Sequence, residues 1–381
     1  MRAEIDPFQA IAISLLAHQL QAQGRSVIHM EFGQPSTGAP AKAIAIAHKI
    51  LDSDPLGYWE SPQLRAGLAR HYAETYDVAV DQSRFVITCG ASPALVLALT
   101  ATFHPGDRIA LARPGYVAYR NTLKALGLVP VEIPCGPDVR FQLNADALSR
   151  LDPAPAGVII ASPANPTGTI IDPSEMLRIA QLCRDRHIQI ISDEIYHGLS
   201  YGEPARSMLE FEPSTLVINS FSKYFSMVGW RLGWLVAPAA QLARVRAFSG
   251  NMFLSAPSLS QHAALAALDC LEELDRNLDV YRRNRDILLA ALPSFGLSQI
   301  APPDGAFYVY ANIGHLTNDS MSFCKRLLAD TGVATAPGVD FDPVDGHHHI
   351  RMSFAVSTAE VEEAIARMTP WFVDASVQAG L

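Results

Sequence analysis

Lys223 is the residue whose type and setting say most about chemistry in this sequence. The chain has five lysines, and four of them (Lys42, Lys49, Lys124 and Lys325) fit solvated helix faces. Lys223 instead follows an apolar, strand-like run and closes the segment Ser220-Phe221-Ser222-Lys223. Desolvation there would lower its pKa and free the amine to form an imine with a carbonyl. Composition alone would favour a surface lysine reaching out of a loop.

The residues around it favour the first reading. Arg231 stands eight residues on, in Gly229-Trp230-Arg231-Leu232-Gly233. An arginine between glycines ahead of a strand suits two-pronged contact with an anion. Gly90-Ala91-Ser92-Pro93 leads from a strand into a helix, with proline in its first turn. Free N–H groups and the helix dipole would make this a phosphate seat, although an ordinary turn has the same pattern. Asp193 closes Ile190-Ile191-Ser192. Its carboxylate could cap the next helix, or hold the protonated nitrogen of a heteroaromatic ring and keep that ring an electron sink. Asn165-Pro166 reads as a tight turn that a cis bond would suit, and Pro114-Gly115-Tyr116 offers an aromatic face.

The elements that must position these groups are short apolar segments over 85–88, 108–112, 129–133, 157–161, 189–192, 216–219 and 232–237. Helix-period stretches over 93–103, 119–126 and 173–186 lie between several of them. This alternation predicts an α/β fold with a mainly parallel sheet covered on both faces. Ligands bind beyond the carboxyl ends of such strands, where the motifs above fall. The large domain is expected over 42–280. Beyond a long helix over 271–291, strands over 307–310 and 349–354 point to a smaller α+β domain made of 1–41 and 281–381. Its N-terminal part holds an amphipathic helix over 11–23, stopped by Gly24.

A chain of 381 residues with 49% apolar residues can bury a large core. The net charge of −9 and the lack of a basic stripe argue against nucleic acid as a partner. Cys89, Cys135, Cys183, Cys270 and Cys324 are far apart and form no CxxC, as expected of reduced thiols in a cytoplasmic protein. Glu4 and Asp6 precede any apolar stretch, which makes a poor signal peptide, and the longest apolar runs are about half a membrane span. His347-His348-His349, read as strand, would point to alternating faces, so no metal site is expected.

Together these motifs resemble the class I/II aminotransferases of pyridoxal-5′-phosphate (PLP) fold type I, over nearly the whole chain. The most specific pieces are Ser162-Pro163-Ala164-Asn165-Pro166-Thr167-Gly168, Ser192-Asp193-Glu194-Ile195-Tyr196, and Ser220-Phe221-Ser222-Lys223 with its step to Arg231. Gly33-Gln34-Pro35 and Ile350-Arg351-Met352-Ser353-Phe354 match as well. The resemblance implies a seven-stranded large domain in which Lys223 holds PLP as a Schiff base and moves the substrate proton. It implies that Asp193 pairs with the pyridine nitrogen, Tyr196 and Asn165 with the phenolic oxygen, and that Tyr116 stacks on the ring. Gly90, Ala91, Ser92, Ser220 and Arg231 would hold the phosphate, helped by Ser222. Tyr58 would reach the phosphate of a neighbouring subunit, which implies a homodimer with shared active sites. Arg351 would clamp the substrate carboxylate, helped by Asn165 and the backbone at Gly33. The implied reaction exchanges an amino group between an L-amino acid and a 2-oxo acid.

Two departures from the family pattern bear on these roles. Tyr58-Trp59-Glu60-Ser61-Pro62-Gln63-Leu64-Arg65 is shortened and lacks the usual glycine, which reshapes the loop carrying Tyr58. Some members specific for acidic substrates carry a lysine where Ser92 stands and a hydroxyl near Ala10. Here Phe8, Ala10 and Ile11 are apolar, which leans away from aspartate as donor. A PLP-dependent carbon–sulfur β-lyase would share nearly all these residues and is the alternative reading. A PLP-binding regulator would add a DNA-binding domain, whereas here the fold is expected to begin almost at Met1.

Overall fold

Runs dense in Val, Ile and Leu pack best where a sheet is covered on both faces, and the strands of the main sheet are such runs. In the computed structural model, which describes residues 4–378, they follow a short β1 (Ile28–His29). They are β2 (Phe85–Thr88), β3 (Arg108–Arg113), β4 (Val129–Pro134), β5 (Gly157–Ala161), β6 (Gln189–Asp193), β7 (Leu216–Ser220) and β8 (Gly233–Val236). These seven form one sheet in the order β2-β8-β7-β6-β5-β3-β4. Only the pairings of β8, with β2 and with β7, are antiparallel.

The period of two along each strand divides the core. Ile159 and Ile191 pack on one face with Leu97, Ile109 and Ile218. Val158, Ile160 and Ile190 pack on the other with Ile133, Met176 and Ile179. The covering helices carry legible signals: Pro173–Asp185 starts with proline and is capped by the Asp172 carboxylate, which accepts from the Ser174 amide.

A second, three-stranded sheet joins β9 (Tyr308–Asn312), β11 (Ala336–Pro337) and β12 (His349–Ser353), antiparallel, in the order β11-β12-β9. Between them, β10 (Val333–Ala334) pairs in parallel with β1. The helix Gln9–Ala22 shares a core with this region through Ile13 and Ala17, beside Phe323, Leu327 and Phe372. The 21-residue helix Leu271–Ala291 buries Tyr281 and Leu288 there, and its Asn284 amide donates to the carbonyls of Phe354 and Val356.

Asp193 is the last residue of β6, so its carboxylate stands at the strand end, as its position in the sequence indicates. Other local details differ from the sequence expectation. The helix Gln9–Ala22 is less one-sided than its spacing suggests, because Ile11 and Leu15 face solvent while Ser14 is buried. His347 and His348 lie in a 3-10 turn, not a strand, and their rings sit 3.9 Å apart, while His349 begins β12 and stacks on Tyr310. Among the described residues, no group of three or more His, Cys, Asp or Glu is placed to hold a metal, and no helix is long and apolar enough to cross a membrane.

Candidate active site

The carboxyl ends of β2, β6 and β7 bring together the candidate residues Gly90, Asp193 and Lys223, with Arg231 beside them. After β2, Gly90 has φ +99°, a conformation that side chains avoid, and an added Cβ would stand 2.7 Å from the Arg231 guanidinium. Gly90 is the N-cap of the helix Ala91–Thr102, which has no capping side chain, so the first N–H groups at Ala91 and Ser92 remain free for an anion. Arg231 is itself left-handed, at φ +52°, and donates to the Val228 carbonyl at 3.0 Å. At the end of β7, the Ser220 hydroxyl accepts from the Ser222 amide at 3.0 Å and turns the chain just before Lys223. A cavity of about 540 Å³ opens beside Arg231, between Gln34, Ser226 and Ser260. A larger cleft of about 1230 Å³, near Tyr201 and Arg285, contains none of the candidate residues.

Asp193 is buried, and both its oxygens have protein donors. The Tyr119 hydroxyl donates to Oδ2 at 2.6 Å and the Ile195 amide to Oδ1 at 3.1 Å. The second bond is a local turn rather than a helix cap, so the capping alternative falls away. Burial raises the pKa of Asp193, opposed by those two donors and by the Lys223 charge. Half-buried Tyr116 lies edge-on to Tyr119, with ring centroids 5.4 Å apart, and to Phe8 at 6.4 Å.

Mostly buried Lys223 donates from Nζ to the Gly33 carbonyl, and Nζ lies 5.9 Å from the centre of the Tyr196 ring. Burial first, then the nearby charges of Arg351 and Arg231, lowers its pKa to about 8, and Asp193 partly offsets this. The fourth charge of the set, Arg351, is only 2% exposed. Its Nη1 donates to Asn165 Oδ1 at 2.8 Å and its Nη2 to the Glu31 carbonyl, while Nε has no partner in the protein. A buried guanidinium with a free N–H is costly without a counter-ion, which fits a site for a carboxylate. The Asn165–Pro166 bond is cis, and backbone bonds between Ala164 and both Gly168 and Thr169 knit the loop.

Tyr58 stands apart from this group within one chain. It is 83% exposed and makes no side-chain hydrogen bond among the described residues. The shortened loop around it is nonetheless anchored, because Trp59 stacks on His262 at 4.7 Å and Ser61 caps the helix Pro62–Tyr76.

The family described as Aminotransferase class I and II matches residues 27–368. The chain belongs to this aminotransferase family. Valine–pyruvate aminotransferase of Mycobacterium tuberculosis is 45% identical over 97% of both chains. A (5-formylfuran-3-yl)methyl phosphate transaminase of Methanocaldococcus jannaschii is 32% identical over 95% of this chain and 96% of its own. Among solved structures, an aminotransferase from M. tuberculosis superposes with a TM-score of 0.96 at 44% identity, covering 98% of each chain. The aspartate aminotransferase of Thermus thermophilus with maleate gives 0.90 at 28% identity, over 97% of this chain and all of that one. The protein is an aminotransferase with the fold type I architecture.

Sequence reasoning missed several residues of this aminotransferase site. Tyr119 follows Tyr116 by one helical step, a spacing that could have flagged it. Tyr308, Phe341 and the Glu31 carbonyl surround Arg351, and in the sequence both rings look like ordinary core residues.

Proposed function

We propose that this aminotransferase binds PLP on Lys223 and transfers the amino group of a neutral aliphatic L-amino acid to a small 2-oxo acid. The observation that carries the reading is the placement of Lys223, whose Nζ donates to the Gly33 carbonyl beside the Tyr196 ring, within reach of the charges of Arg351, Arg231 and Asp193. The residues fit the cofactor chemically. Gly90, Ala91, Ser92, Ser220, Ser222 and Arg231 would hold its phosphate, in a cradle that a Cβ at residue 90 would fill. Asp193 would hold the ring nitrogen, Tyr196 and Asn165 the phenolic oxygen, and Tyr116 the ring face. When bound, PLP supplies an electron sink for the pair released at the substrate Cα.

The chain's own groups do the rest. Arg351 binds the substrate carboxylate through its unpartnered N–H, and Asn165 and Gly33 orient the amino acid beside Lys223. The neutral Lys223 amine takes the proton from Cα. Asp193, held in place by the Tyr119 hydroxyl, would present its carboxylate to the ring nitrogen.

Neutral donors fit the apolar residues Ala10, Ala336 and Phe341, which pack together with Phe8 against them. They also fit the buried Asp340 carboxylate, which accepts the amides of Gln9 and Ala10 at 2.8 Å and would repel an acidic side chain. The M. tuberculosis relative is named for valine and pyruvate, which supports the same choice. The proposal includes a cytoplasmic homodimer with shared sites, in which Tyr58 meets the partner's cofactor, and a domain division near residues 42 and 280. Half-reactions with single amino acids test the donor, read as loss of the bound-cofactor absorbance. Valine or alanine should react at least tenfold faster than aspartate, a difference of about 1.4 kcal/mol, and an aspartate preference would refute the choice.

A further inference from the structure

We propose that Tyr308 is a positioning residue of this site, its hydroxyl setting the direction in which Tyr196 donates and its ring seating Arg351. The inference rests on the PLP reading above and deepens it.

Tyr308 opens β9 and is buried. Its hydroxyl lies 2.7 Å from the hydroxyl of Tyr196, and the two rings meet edge to face at 5.6 Å. The same ring lies under the Arg351 guanidinium, 4.4 Å from its carbon, and Phe341 adds a second ring at 4.7 Å. The Tyr308 hydroxyl also occupies the space beside Gly33, where a Cβ would come within 1.6 Å of it. Gly33 in turn holds Lys223 through its carbonyl. One side chain therefore touches the cofactor-side phenol, the carboxylate-binding arginine and the turn that meets the lysine.

Proton counting fixes the sense of the Tyr196–Tyr308 bond. Each phenol has one proton. Tyr196 must give its proton to the phenolic oxygen of the cofactor, so in the loaded enzyme Tyr308 is the donor and Tyr196 the acceptor. A phenol that accepts a hydrogen bond becomes a stronger donor through its own O–H. The cation over the Tyr308 ring strengthens Tyr308 as a donor in the same way. The ionisable groups that face the pair are Arg351, Tyr116 and Lys223, with Asp193 and Arg231 beyond them. None of these donates to the Tyr196 hydroxyl in the structure. Loss of the Tyr308 hydroxyl should therefore weaken Tyr196 and leave more negative charge on the phenolic oxygen. The nitrogen joining Lys223 to the cofactor would then hold its proton to higher pH.

The test uses holoenzyme of wild type, Tyr308→Phe and Tyr308→Leu, with two readouts: the pH midpoint of the bound-cofactor absorbance and the KM for the amino donor. Tyr308→Phe keeps the ring and should raise the midpoint by roughly half a unit, about threefold in the proton equilibrium, with KM within about twofold, or 0.4 kcal/mol. Tyr308→Leu should raise the midpoint equally and also raise KM roughly tenfold, because the seat of the guanidinium is gone. If the leucine variant does not fold, Tyr308→Met carries the KM arm. An unmoved midpoint in Tyr308→Phe overturns the hydroxyl role, and an unmoved KM in the aliphatic variant overturns the seat. A wild type with no pH-dependent cofactor band would instead sink the PLP reading, and this inference with it.

Discussion

The Tyr119 hydroxyl and the Asp193 carboxylate stand 2.6 Å apart at the end of β6, both out of solvent. That bond favours the charged carboxylate and opposes burial, the larger effect, which raises the pKa of Asp193. Asp193→Ala should still bind PLP but lose turnover by a thousandfold or more, roughly 4 kcal/mol. Tyr119→Phe removes only the support and should lose roughly ten- to a hundredfold. Single-turnover rates check both, and an Asp193→Ala enzyme within tenfold of wild type would reduce the residue to a turn former.

The two arginines should separate cleanly. Arg231 lies against Gly90 beside the free N–H groups of a helix start, whereas Arg351 lies on β12 against Asn165. Arg351→Ala should leave PLP affinity nearly normal and lower kcat/KM by roughly a hundredfold for every α-amino acid tried. Arg231→Ala should weaken PLP itself. Titration of cofactor-free protein with PLP, beside steady-state kinetics, distinguishes the two, and a reversed pattern would exchange their roles.

The pKa of Lys223 gives a pH signature. Only the neutral amine attacks a carbonyl, and burial favours the neutral form, so the folded pKa of about 8 lies below the ordinary 10.5. At pH 7 the neutral fraction is roughly one in ten instead of roughly one in three thousand. The rate at which cofactor-free protein takes up PLP should therefore rise with pH and level off just above 8. A rate still climbing steeply at pH 9.5 would mean an ordinary, solvated lysine.

Much of this arrangement was legible in the sequence because it is local. The β-branched runs mark the strands, and Gly90, Asp193, Ser220 and Arg231 fall beside strand ends, where a parallel sheet presents its ligands. Pairings between distant segments were not legible. Nothing in Phe307-Tyr308-Val309 distinguishes a tyrosine that seats Arg351 from one that only fills a core, since the two lie 43 residues apart and meet through the register of β9 with β12. The Glu31 carbonyl is invisible for the same reason, since a backbone acceptor has no side-chain signature.

Lys223, and no other lysine, should carry the cofactor. Borohydride reduction of PLP-loaded protein, followed by proteolysis and mass spectrometry, measures this directly. The phosphopyridoxyl mass should appear on the peptide containing Lys223 and vanish in Lys223→Ala. Finding it instead on Lys42, Lys49, Lys124 or Lys325, or on no peptide at all, would show that Lys223 is not the cofactor lysine.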